Sequence, residues 1–165
     1  MNRRSRGFTL IELVVTLALV GLVAMIALPL AEVTSTRSKE AELRVALRSI
    51  RTALDAYKAA ADAGKIAREA GASGYPPSLE KLVEGADVVQ APAGAASAAG
   101  PRRLVFLRKL PRDPFFEDAA VPDAQTWALR SYDSPADDPQ PGVDVFDVRS
   151  SSTRKAMDGS SYASW

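Results

Sequence analysis

The sequence predicts an α+β protein in which one long N-terminal helix, apolar in its first half and amphipathic in its second, packs on a small antiparallel β-sheet. An apolar run extends from Phe8 to Ala31, and a helical repeat of apolar residues continues to about Ala63. Two later stretches, 126–134 and 143–151, alternate and are rich in aromatic or β-branched residues. At 165 residues, the chain has room for one modest core beside the apolar segment.

The apolar run is long enough to cross a membrane. About 24 residues with a rise of about 1.5 Å each reach about 36 Å, more than the hydrocarbon thickness of about 30 Å. Arg3, Arg4 and Arg6 precede the run, and no basic residue lies within it. The positive-inside rule therefore predicts a single-pass anchor with a cytoplasmic N-terminus and an exported C-terminal part. A secretory signal peptide is the alternative, but it would have a shorter apolar stretch and a small-residue cleavage site.

Glu12 is the single acid within this run. A carboxylate at the centre of a membrane helix costs about 2.5–3.5 kcal/mol on insertion scales, and less near the interface. Glu12 lies only about 6 Å along the helix axis from Phe8, which favours an acid tolerated at the interface. The other interpretation is that Glu12 awaits a positively charged partner within the membrane.

The helical repeat continues beyond the apolar run and ends before a turn-rich stretch. Its apolar residues are predicted to pack under the sheet: Leu43, Leu47, Ile50, Leu54 and Tyr57. On more polar faces, Glu40 with Arg44 and Arg51 with Asp55 have the spacing of i,i+4 ion pairs.

Glycine and proline mark the expected interruptions of this helix and of the elements after it. Gly21 and Pro29 are the expected positions of a kink or local melting, and Gly64 with 71–77 ends the helix. A short second helix is predicted over 78–85, with Ser78 as its N-cap and Gly85 at its end. Residues 86–101 are poor in charge and rich in Ala, Gly and Pro, which predicts a mobile loop.

The C-terminal half supplies the predicted sheet. Residues 104–107 are expected to form a short strand or a helical turn. The two better strand candidates, 126–134 and 143–151, are joined by a loop that suits antiparallel neighbours. Trp165 is expected to cap the core.

Composition excludes most enzyme classes. The chain contains no Cys and no His, so thiolate nucleophiles, imidazole bases, disulfides and the usual zinc sites are excluded. No Gly-x-Ser-x-Gly motif and no P-loop is present, and Ser78 with Lys81 has the spacing of a dyad but opens a short amphipathic helix. We therefore expect that this protein is not an enzyme.

The N-terminal residues resemble the signal of the type IV pilin superfamily. The resemblance rests on a short basic leader, Gly7, Phe8, Glu12 four residues later and a long apolar tail. It implies a leader at 1–7, and cleavage between Gly7 and Phe8 by a prepilin peptidase that also methylates the new amine of Phe8. It further implies a transmembrane and assembly helix over 8–31. Glu12 of one subunit would then pair with the Phe8 amine of its neighbour.

Within this superfamily the chain is most similar to the major pseudopilin of type II secretion. The similarity is carried by "YPPSLEKLV", "FLRKLPRDPF" and the C-terminal "DVFDV". It implies a periplasmic pilin-like domain over 32–165 and an inner-membrane location before assembly. It also implies a homopolymer that works with other pseudopilins and an inner-membrane assembly platform to drive protein secretion. A major or minor pilin of a type IV pilus or DNA-uptake filament is the alternative.

Two further expectations concern ligands. Loss of the leader would remove three of the 21 basic residues and leave a slight excess of the 20 acids, so no nucleic-acid partner is expected. Related pseudopilins hold a calcium ion with closely spaced C-terminal acids. Here Asp158 and Asp147 are the calcium candidates, with Asp137, Asp138 and Asp144 nearby in sequence. The alternative is that these acids are solvated charges in turns and at strand edges.

Overall fold

A computed structural model describes residues 7–89 and 102–165. Most of the predicted leader (1–6) and of the predicted loop (90–101) lies outside the described residues. The chain divides into two compact units, one ending at Ser38 and one from Lys39 to Trp165. A helix, α1, begins at Leu10 in the first unit and ends at Asp62 in the second.

In the first unit, the apolar run forms the beginning of α1. Its side chains are exposed, including Leu10, Met25 and Leu28 at 82%, 77% and 68%. Gly21 and Pro29, the expected positions of a kink or melting, both lie within α1 as helical residues. The helix is long and apolar enough to cross a membrane by length and composition.

In the second unit, the predicted apolar face of α1 forms one side of the core. All five predicted residues are buried: Leu43, Leu47, Ile50, Leu54 and Tyr57. The core also takes Trp127 and Val148 from the sheet and Tyr162 from the C-terminal segment. The α+β class is therefore confirmed.

A short helix, α2 (Glu80–Glu84), follows the turn-rich stretch, and the predicted cap at its start is wrong. The N-cap residue is Leu79, which makes no side-chain capping hydrogen bond and is 1% exposed. The cap is therefore one residue later than the predicted Ser78, and the first helical residue is Glu80. The predicted end at Gly85 is correct, with a φ of 79° that favours glycine.

In the described residues, the strands form two separate antiparallel pairs. Strand β1 (Ala86–Asp87) pairs with β2 (Arg103–Leu104), and β3 (Trp127–Arg130) pairs with β4 (Asp147–Ser150). A Cβ on Gly85 would lie 2.6 Å from the carbonyl oxygen of Leu104, so the close approach of α2 and β2 requires glycine there.

Both predicted C-terminal strands are present but shorter than expected. Beyond Arg130, the N–H of Ser131 donates to Gln140 O at 3.0 Å, and the N–H of Tyr132 donates to Asp144 Oδ1 at 2.9 Å. These bonds replace pairing with the partner strand, so β3 ends at Arg130.

The predicted element at 104–107 is largely wrong for the same kind of reason. Only Leu104 belongs to a strand, because the N–H groups of Phe106 and Leu107 both donate to Leu82 O, at 3.1 and 2.9 Å.

Candidate functional site

Two side chains fix the start of α1. The hydroxyl oxygen of Thr9 accepts a hydrogen bond from the Glu12 N–H at 3.3 Å, and Glu12 Oε2 lies 3.5 Å from the Thr9 N–H. This reciprocal pair, with Thr at the cap and Glu three residues later, is a capping box. Thr9 was not among the residues singled out from the sequence, although the Thr-x-x-Glu spacing before an apolar run is a signal that could have found it.

The predicted processing residues lie just before this cap. Gly7 and Phe8 precede the first helical residue, and Phe8 is 78% exposed. Among the described residues other than its chain neighbours, no atom lies within 4 Å of a Cβ built on Gly7. Cleavage and methylation at this position stay predictions.

Glu12 has no ion pair within the part of the chain that the structure describes. Its partners there are the hydroxyl and N–H groups of its own helix start. The carboxylate lies one helical turn from Phe8, on a helix whose other nearby side chains are apolar and exposed. The Glu12 carboxylate can form an ion pair with an ammonium group of another chain if it loses its long 3.5 Å contact with the Thr9 N–H.

A second group of polar residues lies on α1 in the compact C-terminal unit. Glu40, Arg44 and Arg51 hold the segment that follows β4, and we call these three residues the C-terminal clasp. Sequence reasoning assigned them to exposed i,i+4 pairs, Glu40 with Arg44 and Arg51 with Asp55. Both pairings are wrong, because each residue binds a partner about a hundred residues away in sequence.

Glu40 is a buried acid, 8% exposed. Its Oε1 accepts the Met157 N–H at 2.8 Å and the Tyr162 hydroxyl at 2.9 Å. Burial and these contacts with the Glu40 carboxylate raise the pKa of Tyr162 to about 12. The Glu40 carboxylate therefore fastens the C-terminal segment to α1 through one main-chain and one side-chain donor.

The two arginines of the clasp hold the same segment further along α1. The Arg51 Nε donates to Asp147 Oδ1 at 2.7 Å, and its Nη2 donates to the main-chain oxygen of Trp165 at 2.6 Å. The Arg44 guanidinium lies 4.3 Å from the centre of a Trp165 ring and 4.0 Å from Asp158 Oδ2. Trp165 also meets Tyr162 edge to face, so its predicted place at the edge of the core is confirmed.

The calcium candidates are thus in contact with arginines. Asp147 binds Arg51, and Asp158 accepts hydrogen bonds from the Ser160 hydroxyl and N–H and faces Arg44. The Ser160 hydrogen bonds lower the pKa of Asp158. Within residues 7–89 and 102–165, no group of three or more acidic, His or Cys residues could hold a metal ion. Calcium binding at Asp158 and Asp147 stays a prediction, and the donor set in the described residues does not fit it.

Asp144, also considered for calcium, is a buried loop anchor. It accepts hydrogen bonds from the hydroxyls of Ser73 and Ser131 and from the Tyr132 N–H. Burial alone would raise the pKa of Asp144, but these hydrogen bonds outweigh burial and lower the pKa. The carboxylate ties the loop after α1 to the end of β3. Asp137 and Asp138 are exposed in the loop between β3 and β4.

Comparisons with known proteins match short parts of the chain. Residues 2–28 match the family described as "Prokaryotic N-terminal methylation motif". The chain is 43% identical over 49 residues to the type IV major pilin protein PilA of Myxococcus xanthus (strain DK1622). That alignment covers 30% of this chain and 22% of the length of that pilin. No solved structure matches the chain.

The family match covers Gly7, Phe8 and Glu12 together with the exposed apolar start of α1. The chain is type IV pilin-like: it carries a prokaryotic N-terminal methylation motif and is similar to a type IV pilin over 49 residues.

Proposed function

We propose that this chain is a structural subunit that polymerises through its N-terminal helix into the pseudopilus of a type II secretion system. The filament would drive protein secretion across the outer membrane, and the chain itself would perform no catalysis. The observation that carries the proposal is Glu12, an acid on an exposed apolar helix that has no cation within the described residues.

The charge of Glu12 gives the assembly step its physical basis. Cleavage after Gly7 would create an ammonium on Phe8, four residues before Glu12. In a packed array of apolar helices both charges are poorly hydrated, so each is costly until it is paired. Pairing Glu12 of one subunit with the Phe8 amine of the next satisfies both charges and sets the axial register between subunits.

The proposed assembly step also predicts the location and the partners of the subunit. A prepilin peptidase would process Gly7–Phe8, and the subunit would sit in the inner membrane as a single-pass protein with a cytoplasmic N-terminus and a periplasmic C-terminal unit. Other pseudopilins and an inner-membrane assembly platform would then draw it into the filament. The basic residues before Phe8 support this orientation.

Mass spectrometry of the native protein tests the processing step. We expect loss of residues 1–7 and a methylated amine on Phe8, while the same chain made in a host without a prepilin peptidase keeps its first seven residues. Native filaments built from subunits that retain those residues would overturn the proposal.

A pilin of a type IV pilus is the second candidate, favoured by the match to the Myxococcus xanthus pilin. Because that match covers 30% of this chain and 22% of that pilin, it supports a likeness to pilins more than the finer function. Deletion of the gene separates the two candidates. Loss of secreted proteins from the medium without loss of surface filaments supports the pseudopilus, and the reverse supports the pilus.

A further inference from the structure

The guanidinium of Arg51 donates hydrogen bonds to three oxygen atoms. Its Nε donates to Asp147 Oδ1 at 2.7 Å, and its Nη2 donates to the main-chain oxygens of Val148 at 3.0 Å and Trp165 at 2.6 Å. Asp147 and Val148 open β4, whereas Trp165 follows the final turn of 3₁₀-helix. One cation on α1 therefore joins the sheet and the C-terminal segment.

These oxygens are of the kinds that calcium binds. Calcium is held by carboxylate and main-chain oxygens, usually six to eight of them. The guanidinium offers instead a fixed single charge and five N–H donors in a planar fork. Asp147 Oδ1 accepts a hydrogen bond from the Arg51 guanidinium. In the portion of the chain that is described, no cluster of three or more acids could hold a metal ion.

We propose that the Arg51 guanidinium, rather than a bound calcium ion, is the cation that holds the C-terminal segment against β4 and α1. The folding of this segment then does not depend on calcium. The proposal concerns the second compact unit and stands whether or not the filament function is correct.

The charged residues near Arg51 support this role of the guanidinium. Arg44 faces the other calcium candidate, Asp158, at 4.0 Å and stacks on Trp165. A divalent ion that bound Asp147 or Asp158 would meet one of these two positive charges at close range, which opposes its binding.

Limited trypsin digestion of the full chain in detergent tests the proposal. Cleavage after Arg154 and Lys155, identified by mass spectrometry of the fragments, reports on this segment. Both side chains are exposed, but Lys155 makes a β-bridge with Ser161 that must open before a protease can bind the main chain there. For the wild type we expect cleavage rates with excess calcium and with EGTA that agree within about twofold. We expect Arg51→Gln to be cleaved about tenfold faster in both conditions, because a hydrogen-bonded charge is lost from the docked state.

Arg48→Gln is the matched control. Arg48 lies on the same helix, is exposed and has no ion pair in the described residues, so its variant should be cleaved at the wild-type rate. Arg51→Lys keeps the positive charge but not the planar set of donors, so its cleavage rate should lie between those of Arg48→Gln and Arg51→Gln. Faster wild-type cleavage in EGTA than in calcium overturns the proposal, as does an Arg51→Gln rate equal to that of Arg48→Gln. If Arg51→Gln loses its near-ultraviolet circular dichroism altogether, the wild-type comparison with and without calcium decides alone.

Discussion

Replacing Glu40 by alanine tests the C-terminal clasp most directly. The substitution leaves the Met157 N–H and the 1%-exposed Tyr162 without their common acceptor. A buried donor that loses its partner costs about 1–3 kcal/mol, so the Tyr162 hydroxyl predicts a loss of about 1–3 kcal/mol in the free energy of unfolding. Met157 is 48% exposed, so water can hydrate its N–H and this donor adds little to the loss. For a unit of this size, the loss lowers the melting temperature by about 3–12 °C.

The assay is thermal unfolding of the full chain in detergent, followed by near-ultraviolet circular dichroism. This signal reports the aromatic core of the C-terminal unit rather than the helical content of α1. Glu40→Gln keeps an amide oxygen as acceptor and should cost only about 1 kcal/mol.

Glu42→Ala is the control for Glu40→Ala, because Glu42 is exposed on the same helix and its loss should change stability by about 0.5 kcal/mol or less. Equal melting temperatures for Glu40→Ala and Glu42→Ala would show that Glu40 does not hold the C-terminal segment.

Three further predictions concern the assembly helix, a glycine and a tyrosine. Glu12→Ala should leave membrane insertion and processing intact but strongly reduce filament yield, measured by sedimentation of sheared filaments, because the Phe8 amine of the neighbouring subunit loses its partner. Gly85→Ala should lower the free energy of unfolding by about 2–4 kcal/mol in a thermal melt, because its φ of 79° disfavours a side chain and the new Cβ would strike β2. Raising the pH from 10 toward 12 should destabilise the fold, because Tyr162 has a pKa of about 12 when folded and about 10 when unfolded.

Each of these has a matched comparison. Glu32→Ala removes an acid of the same helix beyond the apolar run, and filament loss equal to that of Glu12→Ala would contradict the pairing. Gly71 has a similar φ of 83° but open space around its Cβ, so Gly71→Ala should cost only the backbone strain of about 1 kcal/mol. For Tyr162, the stabilisation is complete below pH 10 and is lost as the pH rises through 12. Absorbance at alkaline pH should show one tyrosine titrating last, and Tyr162→Phe should remove that step.

The features that the sequence predicted correctly are those that short-range patterns specify. The buried face of α1 from Leu43 to Tyr57 follows from a 3.6-residue repeat, and β3 and β4 follow from alternation. Gly7, Phe8 and Glu12 were singled out because their motif is contiguous, and the family match covers that segment, whereas their roles stay predictions. Thr9 belongs to the same motif, and only its capping geometry was overlooked.

The features that the sequence did not predict depend on contacts between distant parts of the chain. The i,i+4 spacing predicts Arg44 as the partner of Glu40. The actual hydrogen-bond donors to Glu40 are Met157 and Tyr162, because the C-terminal segment passes over this part of α1. A distant contact also explains the early end of β3. The alternating pattern predicts that the Tyr132 N–H pairs with a neighbouring strand, but this N–H donates to Asp144 instead. Local propensity gives no information on such pairings.

The hydrogen bonds of Glu40 also set an order of events during biosynthesis, because they join positions 117 and 122 residues apart. A nascent chain that has grown only through β3 already contains the whole of α1, yet nothing that can cover this acid. Closing so long a loop adds little entropic cost per extra residue, but contacts of this range slow folding. The globular unit is therefore completed only after synthesis has passed Tyr162.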